Sequence, residues 1–232
     1  MVEQIVREAD IILEVLDARS IDISRNEQLE TIIRSLKRPR IFVVNKSDLV
    51  DKRELAIALN KLKDEIMEKE KEAYIVYTNN RTKKTIRNLI VLIKSVFGKH
   101  GKRPDYYNQP ILKRPYREAK GDIVVGVVGY PNVGKSSIIN SLAFKKKVKV
   151  SSKAGTTHGI HWINAGDNIK LIDTPGVIPL SYEDESKLGL IAARGPEKIK
   201  DIESTAYKVI EMFIKKRQLV RILEFYQLRI LE

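Results

Sequence analysis

The stretch GYPNVGKS, Gly129 to Ser136, decides how the rest of the chain is read. It fits G-x-x-x-x-G-K-[ST], and it lies between an apolar run, DIVVGVVG (122–129), and a segment of helical character from about Lys135 to Ala143. A strand feeding a glycine-rich turn that opens a helix is the context that makes such a match informative. The glycines let backbone N–H groups converge on phosphate oxygens, and the helix N-terminus adds partial positive charge. Lys135 would reach the β- and γ-phosphates, with Asn132, Val133, Gly134 and Ser137 completing the cradle and the Ser136 hydroxyl ligating Mg²⁺.

Two further pieces belong with this loop. Asp173-Thr174-Pro175-Gly176 ends a strand 37 residues after Ser136. Asp173 would hold Mg²⁺ through water, and the Gly176 N–H would bond the γ-phosphate, an approach that a residue without Cβ permits. Between them, Thr156 and Thr157 are candidates for the second protein ligand of Mg²⁺, with Thr157 preferred. Far upstream, Asn45-Lys46-Ser47-Asp48 supplies a base reader. Guanine offers two donors on one edge, and the two Asp48 carboxylate oxygens accept both. Asn45 would bond another edge of the ring and brace the phosphate loop, and the Lys46 stem would lie across the base. Thr78 and Asn79, after the next strand, would complete the base pocket through backbone N–H groups. Adenine lacks that donor pair, so an ATPase reading requires Asp48 to be idle.

Composition sets the outer bounds. The 232 residues suffice for one α/β nucleotide-binding domain and a small appendage. There are no cysteines, so disulfides and thiolate metal sites are excluded. No apolar run reaches the roughly 18 residues of a membrane span, and MVEQIVREAD lacks the apolar core of a signal peptide. The expected location is the cytoplasm, with no membrane partner and a monomeric chain. Abundant Lys, Glu and Ile hint at a thermophile. The formal charge is +13, and residues 98–153 hold thirteen Lys/Arg against three acids. That concentration points to a polyphosphate partner, RNA, because each neutralised phosphate releases a counterion.

Strands are expected at ADIILEVLDAR (9–19), RIFVVNKSD (40–48), AYIVYTNN (73–80) and DIVVGVVG, and helices over 25–37, 52–72 and the stretch marked by Ile86, Leu89, Ile90 and Ile93. Such alternation predicts a mostly parallel sheet covered on both faces. Residues 98–121, rich in proline and bases, read as a joining linker over the surface. IHWINAGDNIKLIDTPG reads as a hairpin turning at Gly166-Asp167. Residues 181–232 read as a helical C-terminal domain whose apolar face runs from Ile199 to Phe213, leaving 1–180 as the nucleotide-binding domain.

The base reader precedes the phosphate loop, the reverse of the usual order in GTP-binding domains. Together with DIILEVLDARSIDISRN (10–26), that order resembles the circularly permuted GTPases of the YlqF/YawG group. The resemblance covers roughly residues 1–180. It implies a three-layer, Ras-like P-loop NTPase fold, circularly permuted, with a small all-helical C-terminal domain. It also implies GTP and GDP as ligands, Mg²⁺, and a role with ribosomal RNA or the maturing large ribosomal subunit. By the same resemblance, Lys135, Thr157 and Gly176 are the residues expected at the reacting phosphate, and K⁺ near Asn132 is one option for activation.

Permutation is physically cheap, because domain termini are often close neighbours at the surface. Many GTPases orient the attacking water with a Gln after the D-x-x-G motif; here Val177 and Ile178 stand there, as apolar residues do in the YlqF/YawG group. Hydrolysis is therefore expected to be slow, on the order of 10⁻⁴ to 10⁻² s⁻¹ unassisted. His158 and His161 flank the threonine loop and are chemically able to orient water. Relatives often carry an N-terminal Gly-His-Met segment, for which this chain starts too late. The alternative is a GTP-dependent RNA-binding scaffold with negligible hydrolysis.

Overall fold

The computed structural model describes residues 2–79, 82–104, 118–119, 121–143, 161–173 and 202–215. Helix α1 (Val2–Glu8) leads into β1 (Ile11–Asp17), and a 3₁₀ turn at Ala18–Ser20 and the short α2 (Ile21–Ser24) lead to α3 (Glu27–Ser35). Then come β2 (Arg40–Asn45), α4 (Lys52–Lys69), β3 (Tyr74–Tyr77), α5 (Lys83–His100), β4 (Ile123–Val128), α6 (Lys135–Ala143), β5 (His161–Gly166), β6 (Ile169–Asp173) and α7 (Ile202–Lys215). The chain divides into two compact units, Met1–Pro179 and Leu180–Glu232, with α7 in the second. Among the described residues, no helix is long and apolar enough to cross a membrane.

The six strands form one sheet in the order β3-β2-β1-β4-β6-β5, parallel except for the β5–β6 hairpin. This is the α/β architecture that the alternation of strands and helices predicts. β1 begins the sheet at its centre. The chain then builds outward through β2 and β3, and crosses back so that β4, which feeds the phosphate loop, lies on the other side of β1. The order of adding strands reverses between β1 and β4, and in open parallel sheets that switch point opens a crevice at the carboxyl ends of the strands.

Every residue of β1 is buried, as expected for a strand covered on both faces. Ile12 joins Ile5 and Val6 of α1, Leu29 and Ile33 of α3, and Val124 and Val128 of β4 in one apolar cluster. Leu16 joins Phe42, Val44 and the inner face of α4 (Leu55, Leu62, Ile66) in a second. Ile11, Leu13 and Val15 point to the opposite face and are equally buried. Local caps sharpen the helix starts: the Asn26 side chain accepts from the Leu29 N–H at 2.8 Å and Asp51 from the Arg53 N–H at 2.8 Å.

Three features differ from the sequence expectation. Helix α1 is absent from that reading because seven residues are too few for a clear period, yet packing buries its Val2, Ile5 and Val6. The hairpin turns at Asp167-Asn168, both at positive φ (51° and 61°), as a type I′ turn requires, one position beyond the expected pair. The composition of 98–121 predicts a surface linker, but α5 continues through His100 and the next residues turn inward. The carboxylate of Asp10 accepts from the Arg103 N–H (3.0 Å) and Nη1 (3.1 Å), from Lys102 Nζ (3.1 Å) and from the Val124 N–H (2.9 Å). Glu118 accepts from Arg103 Nη2 at 2.7 Å and from Lys102 Nζ at 2.6 Å. Charge balance explains the burial: two cations meet two carboxylates away from water, so neither sign is left uncompensated.

Candidate functional site

The carboxyl ends of the parallel strands bring the separated motifs together. Asp17 at the end of β1 stands in register with Asn45 at the end of β2, and Asp173 at the end of β6 is in register with Val127 of β4, two residues before Gly129. Thr78 follows β3 and is buried. Asn45, Lys46, Asn132 and Val133 are joined by the hydrogen bonds described below.

The loop from Gly129 to Lys135 has the backbone that an anion cradle needs. Gly129, Asn132 and Gly134 all lie at positive φ (142°, 62° and 104°). A Cβ at Gly129 would stand 2.5 Å from the Val15 carbonyl oxygen, and one at Gly134 2.1 Å from Asn45 Nδ2. Both positions therefore demand glycine for space as well as for torsion. Lys135 is buried, and its ammonium donates to the carbonyl oxygens of Gly129 (2.8 Å) and Tyr130 (2.7 Å). Burial pushes this ammonium below the ordinary lysine range, and the negative charge of Asp173 works the other way. A buried cation in a ring of backbone dipoles fits a phosphate, whose charge would add to that of Asp173 in favouring the ammonium form. Ser136, exposed at the first turn of α6, and Asp173 are the described members of the expected Mg²⁺ set. Thr156, Thr157, Gly176, Val177, Ile178 and His158 lie outside the described residues, and the backbone of His161 begins β5.

The loop Asn45–Asp48 is fastened to the loop Gly129–Lys135. Asn45 Nδ2 donates to the Val133 carbonyl oxygen at 3.0 Å, and Asn45 Oδ1 accepts from the Thr78 hydroxyl at 3.1 Å. Both ends of the Asn45 amide are thus engaged. Lys46 adopts a left-handed backbone (φ 61°), and its ammonium donates to the Asn132 carbonyl oxygen at 2.6 Å. Asp48 lies exposed on the 3₁₀ turn Ser47–Leu49, held by the Ser47 N–H donating to the Thr78 carbonyl oxygen at 3.1 Å. Thr78 differs from expectation. Its own N–H donates to the Val44 carbonyl oxygen at 2.8 Å, so it contributes by holding Asn45 rather than by meeting the base. Asn79 accepts from the Thr82 N–H and hydroxyl, both at 2.8 Å, which shapes the turn into α5.

Asp17 has no assigned part in the sequence reading, although it lies in the quoted segment DIILEVLDARSIDISRN. It is buried at the floor of the crevice and bonded to Lys46. The Tyr130 hydroxyl accepts from Asn26 Nδ2 at 3.2 Å, tying the phosphate loop to the start of α3. Nothing local marks that pair, which is 104 residues apart in the chain.

The chain is 30% identical over 225 residues to Ribosome biogenesis GTPase A of Bacillus cereus, a match covering 94% of this chain and 69% of that protein. This chain belongs to the YlqF-like GTPase family. The family profile described as 50S ribosome-binding GTPase matches residues 124–226. An uncharacterized GTP-binding protein of Methanocaldococcus jannaschii is 37% identical over 213 residues, which is 90% of this chain and 48% of the relative. The nuclear GTP-binding protein NUG1 of Saccharomyces cerevisiae is 30% identical over 92% of this chain and 41% of the relative. This YlqF-like chain thus spans about half the length of several curated relatives that it matches. The GDP-bound structure of TM YlqF superposes with a TM-score of 0.54 at 20% identity, covering 94% of this chain and 84% of that one. That likeness concerns the fold: a circularly permuted P-loop GTPase.

Proposed function

We propose that this chain binds GTP and GDP with Mg²⁺, hydrolyses GTP slowly, and couples that cycle to an RNA-rich assembly, the maturing large ribosomal subunit. The observation that carries the reading is the hydrogen bond from Asn45 to the Val133 carbonyl oxygen, which makes the base reader and the phosphate loop one crevice. In this reading Asp48 recognises guanine, the Lys46 stem covers the ring, and the loop from Asn132 to Ser137 holds the phosphates. Ser136, Thr157 and Asp173 attend Mg²⁺, and Lys135 and the Gly176 N–H face the γ-phosphate. Mg²⁺ would neutralise charge developing on the phosphates. Residues 1–180 form the GTPase domain and 181–232 a helical C-terminal domain.

The partner reading draws on the relatives, several of which carry ribosome biogenesis in their names. Not all of the basic excess serves it, because Lys102 and Arg103 are spent on Asp10 and Glu118, and Lys99 on Glu72. The remaining Lys and Arg of that segment that the RNA reading assigns, from Lys113 to Lys120 and from Lys145 to Lys153, lie outside the described residues. A second reading, a GTP-dependent RNA-binding scaffold, is favoured by one observation: Val177 and Ile178 stand where a water-orienting Gln is common.

Titration with fluorescent GDP and GTP analogues, in the presence of excess ATP, tests the first claim. Asp48→Asn is expected to weaken binding by roughly ten- to a hundredfold, because one of the two guanine donors then meets an amide N–H in place of an acceptor oxygen. Equal competition by ATP would overturn guanine specificity. Phosphate release with and without pre-ribosomal particles, in K⁺ and in Na⁺, separates the enzyme from the scaffold.

A further inference from the structure

Asp17 is the last residue of β1, and its side chain is 2% exposed. A buried carboxylate there is costly unless it is fully engaged. Its oxygens accept from four donors: the Arg19 N–H (3.0 Å), Arg19 Nε (2.9 Å), Arg19 Nη2 (2.7 Å) and Lys46 Nζ (2.8 Å). Its own N–H donates to the Ser24 hydroxyl at 3.0 Å, so the backbone that carries it is also fastened. The same Lys46 ammonium donates onward to the Asn132 carbonyl oxygen at 2.6 Å, inside the phosphate loop. Asp17, Lys46 and Asn132 therefore form one chain of contacts across the crevice, linking β1, the base-reading loop and the phosphate loop.

We infer that Asp17 is a positioning residue for nucleotide binding, one that acts through Lys46. Resting on the guanine-nucleotide reading above, this adds a residue outside the phosphate-loop and N-K-x-D motifs. A lysine side chain loses rotamer freedom when it is ordered. Asp17 orders it before the ligand arrives. It holds the ammonium between the carboxylate and the Asn132 carbonyl, so the stem spans the place where a base would stack. Arg19 has a different part. Its side chain is 47% exposed, and its two-pronged contact is with the carboxylate alone. It neutralises Asp17 and leaves the Lys46 contact to do the positioning.

The test is a double-variant cycle on the full chain, read as GDP affinity by calorimetry, with thermal unfolding as a check on folding. Asp17→Asn is expected to weaken GDP binding about tenfold. In the Lys46→Met background, Asp17→Asn is expected to change affinity less than twofold, because the residue through which it acts is gone. Arg19→Gln is expected to stay within threefold of the parent. If Asp17→Asn does not fold, Asp17→Ser enters the same cycle with the same expectations. Equal losses from the Asp17 substitution in both backgrounds would overturn the inference, and so would no loss at all with Lys46 intact. A parent protein that binds no guanine nucleotide would instead overturn the proposed function.

Discussion

Asn45 and Val133 stand 88 residues apart in the chain, yet the Asn45 amide donates to the Val133 carbonyl oxygen at 3.0 Å in a buried contact. Its carbonyl end is held in turn by the Thr78 hydroxyl. Together with the Lys46–Asn132 contact, this side chain fixes the distance between the loop suited to a base and the loop suited to phosphates. The tie spans loops that leave β2 and β4, strands on opposite sides of β1.

Asn45→Ala removes both bonds and leaves the Val133 carbonyl without this donor. A buried polar group that loses its partner costs about 1–3 kcal/mol. Chemical denaturation should show that loss in the ligand-free protein, and GDP affinity should fall as well. A variant with the parent's unfolding midpoint would show that the bond carries no stability.

Gly134→Ala places a methyl group 2.1 Å from Asn45 Nδ2 on a backbone at φ +104°. Strain at such a residue costs about 1–3 kcal/mol, and nucleotide affinity is expected to fall at least about tenfold by calorimetry. Gly98 is the contrasting case. It lies within α5 with nothing inside 4 Å of an added Cβ. Gly98→Ala should stabilise the protein by up to about 1 kcal/mol through helix propensity.

Arg103→Met tests whether the joining segment is structural. It would leave Asp10 and Glu118 with Lys102 as their remaining cation among those contacts. Breaking a buried ion cluster in this way costs about 3–5 kcal/mol. Asp10 and Val124 stand at the amino ends of β1 and β4, opposite the crevice. The variant should therefore unfold earlier but, where folded, bind GDP like the parent.

Glu14 gives a pH dependence. It shares a face of the sheet with Ile12 and Leu16, and Arg40 Nη1 donates to its Oε2 at 2.9 Å. Arg40 also serves Glu30 and Glu70, and Glu14 Oε1 has no hydrogen-bond partner among the described residues. Burial pushes the Glu14 carboxyl up from 4.5 to about 7; the nearby Glu30 adds to this, and Arg40 opposes it. A raised carboxyl favours the protonated folded state. Its contribution is therefore fully present below about pH 4.5 and lost as pH rises through 7. The shift corresponds to about 3 kcal/mol as an upper bound. Glu14→Gln should remove that component, so the gap in melting temperature between variant and parent should widen in the variant's favour from pH 5 to pH 7.5.

The strand–helix alternation, the glycine loop and the N-K-x-D reader are all legible in the chain, because each is a local pattern of spacing and residue type. The order of those motifs is a one-dimensional fact, and it is enough to predict that the sheet is permuted. Helix α1 is too short for its period to announce it. The Asp167-Asn168 turn falls one residue from its glycine-based expectation because Asp and Asn tolerate the left-handed torsions themselves. The inward turn of Lys102 and Arg103 is hidden because lysine and arginine in a proline-rich stretch look solvated until their partners are known.

By itself the sequence determined which residue types were available for binding, and in what order the chain would deliver them. Tertiary structure decided which of them touch: Asn45 on Val133, Asp17 on Lys46, Arg103 on Asp10 and Glu118. The reason is that these contacts join atoms from segments that the folded sheet brings together and the chain keeps apart. The energy of a buried hydrogen bond or ion pair depends on where its partner lies in space, a quantity that no local window of residues contains.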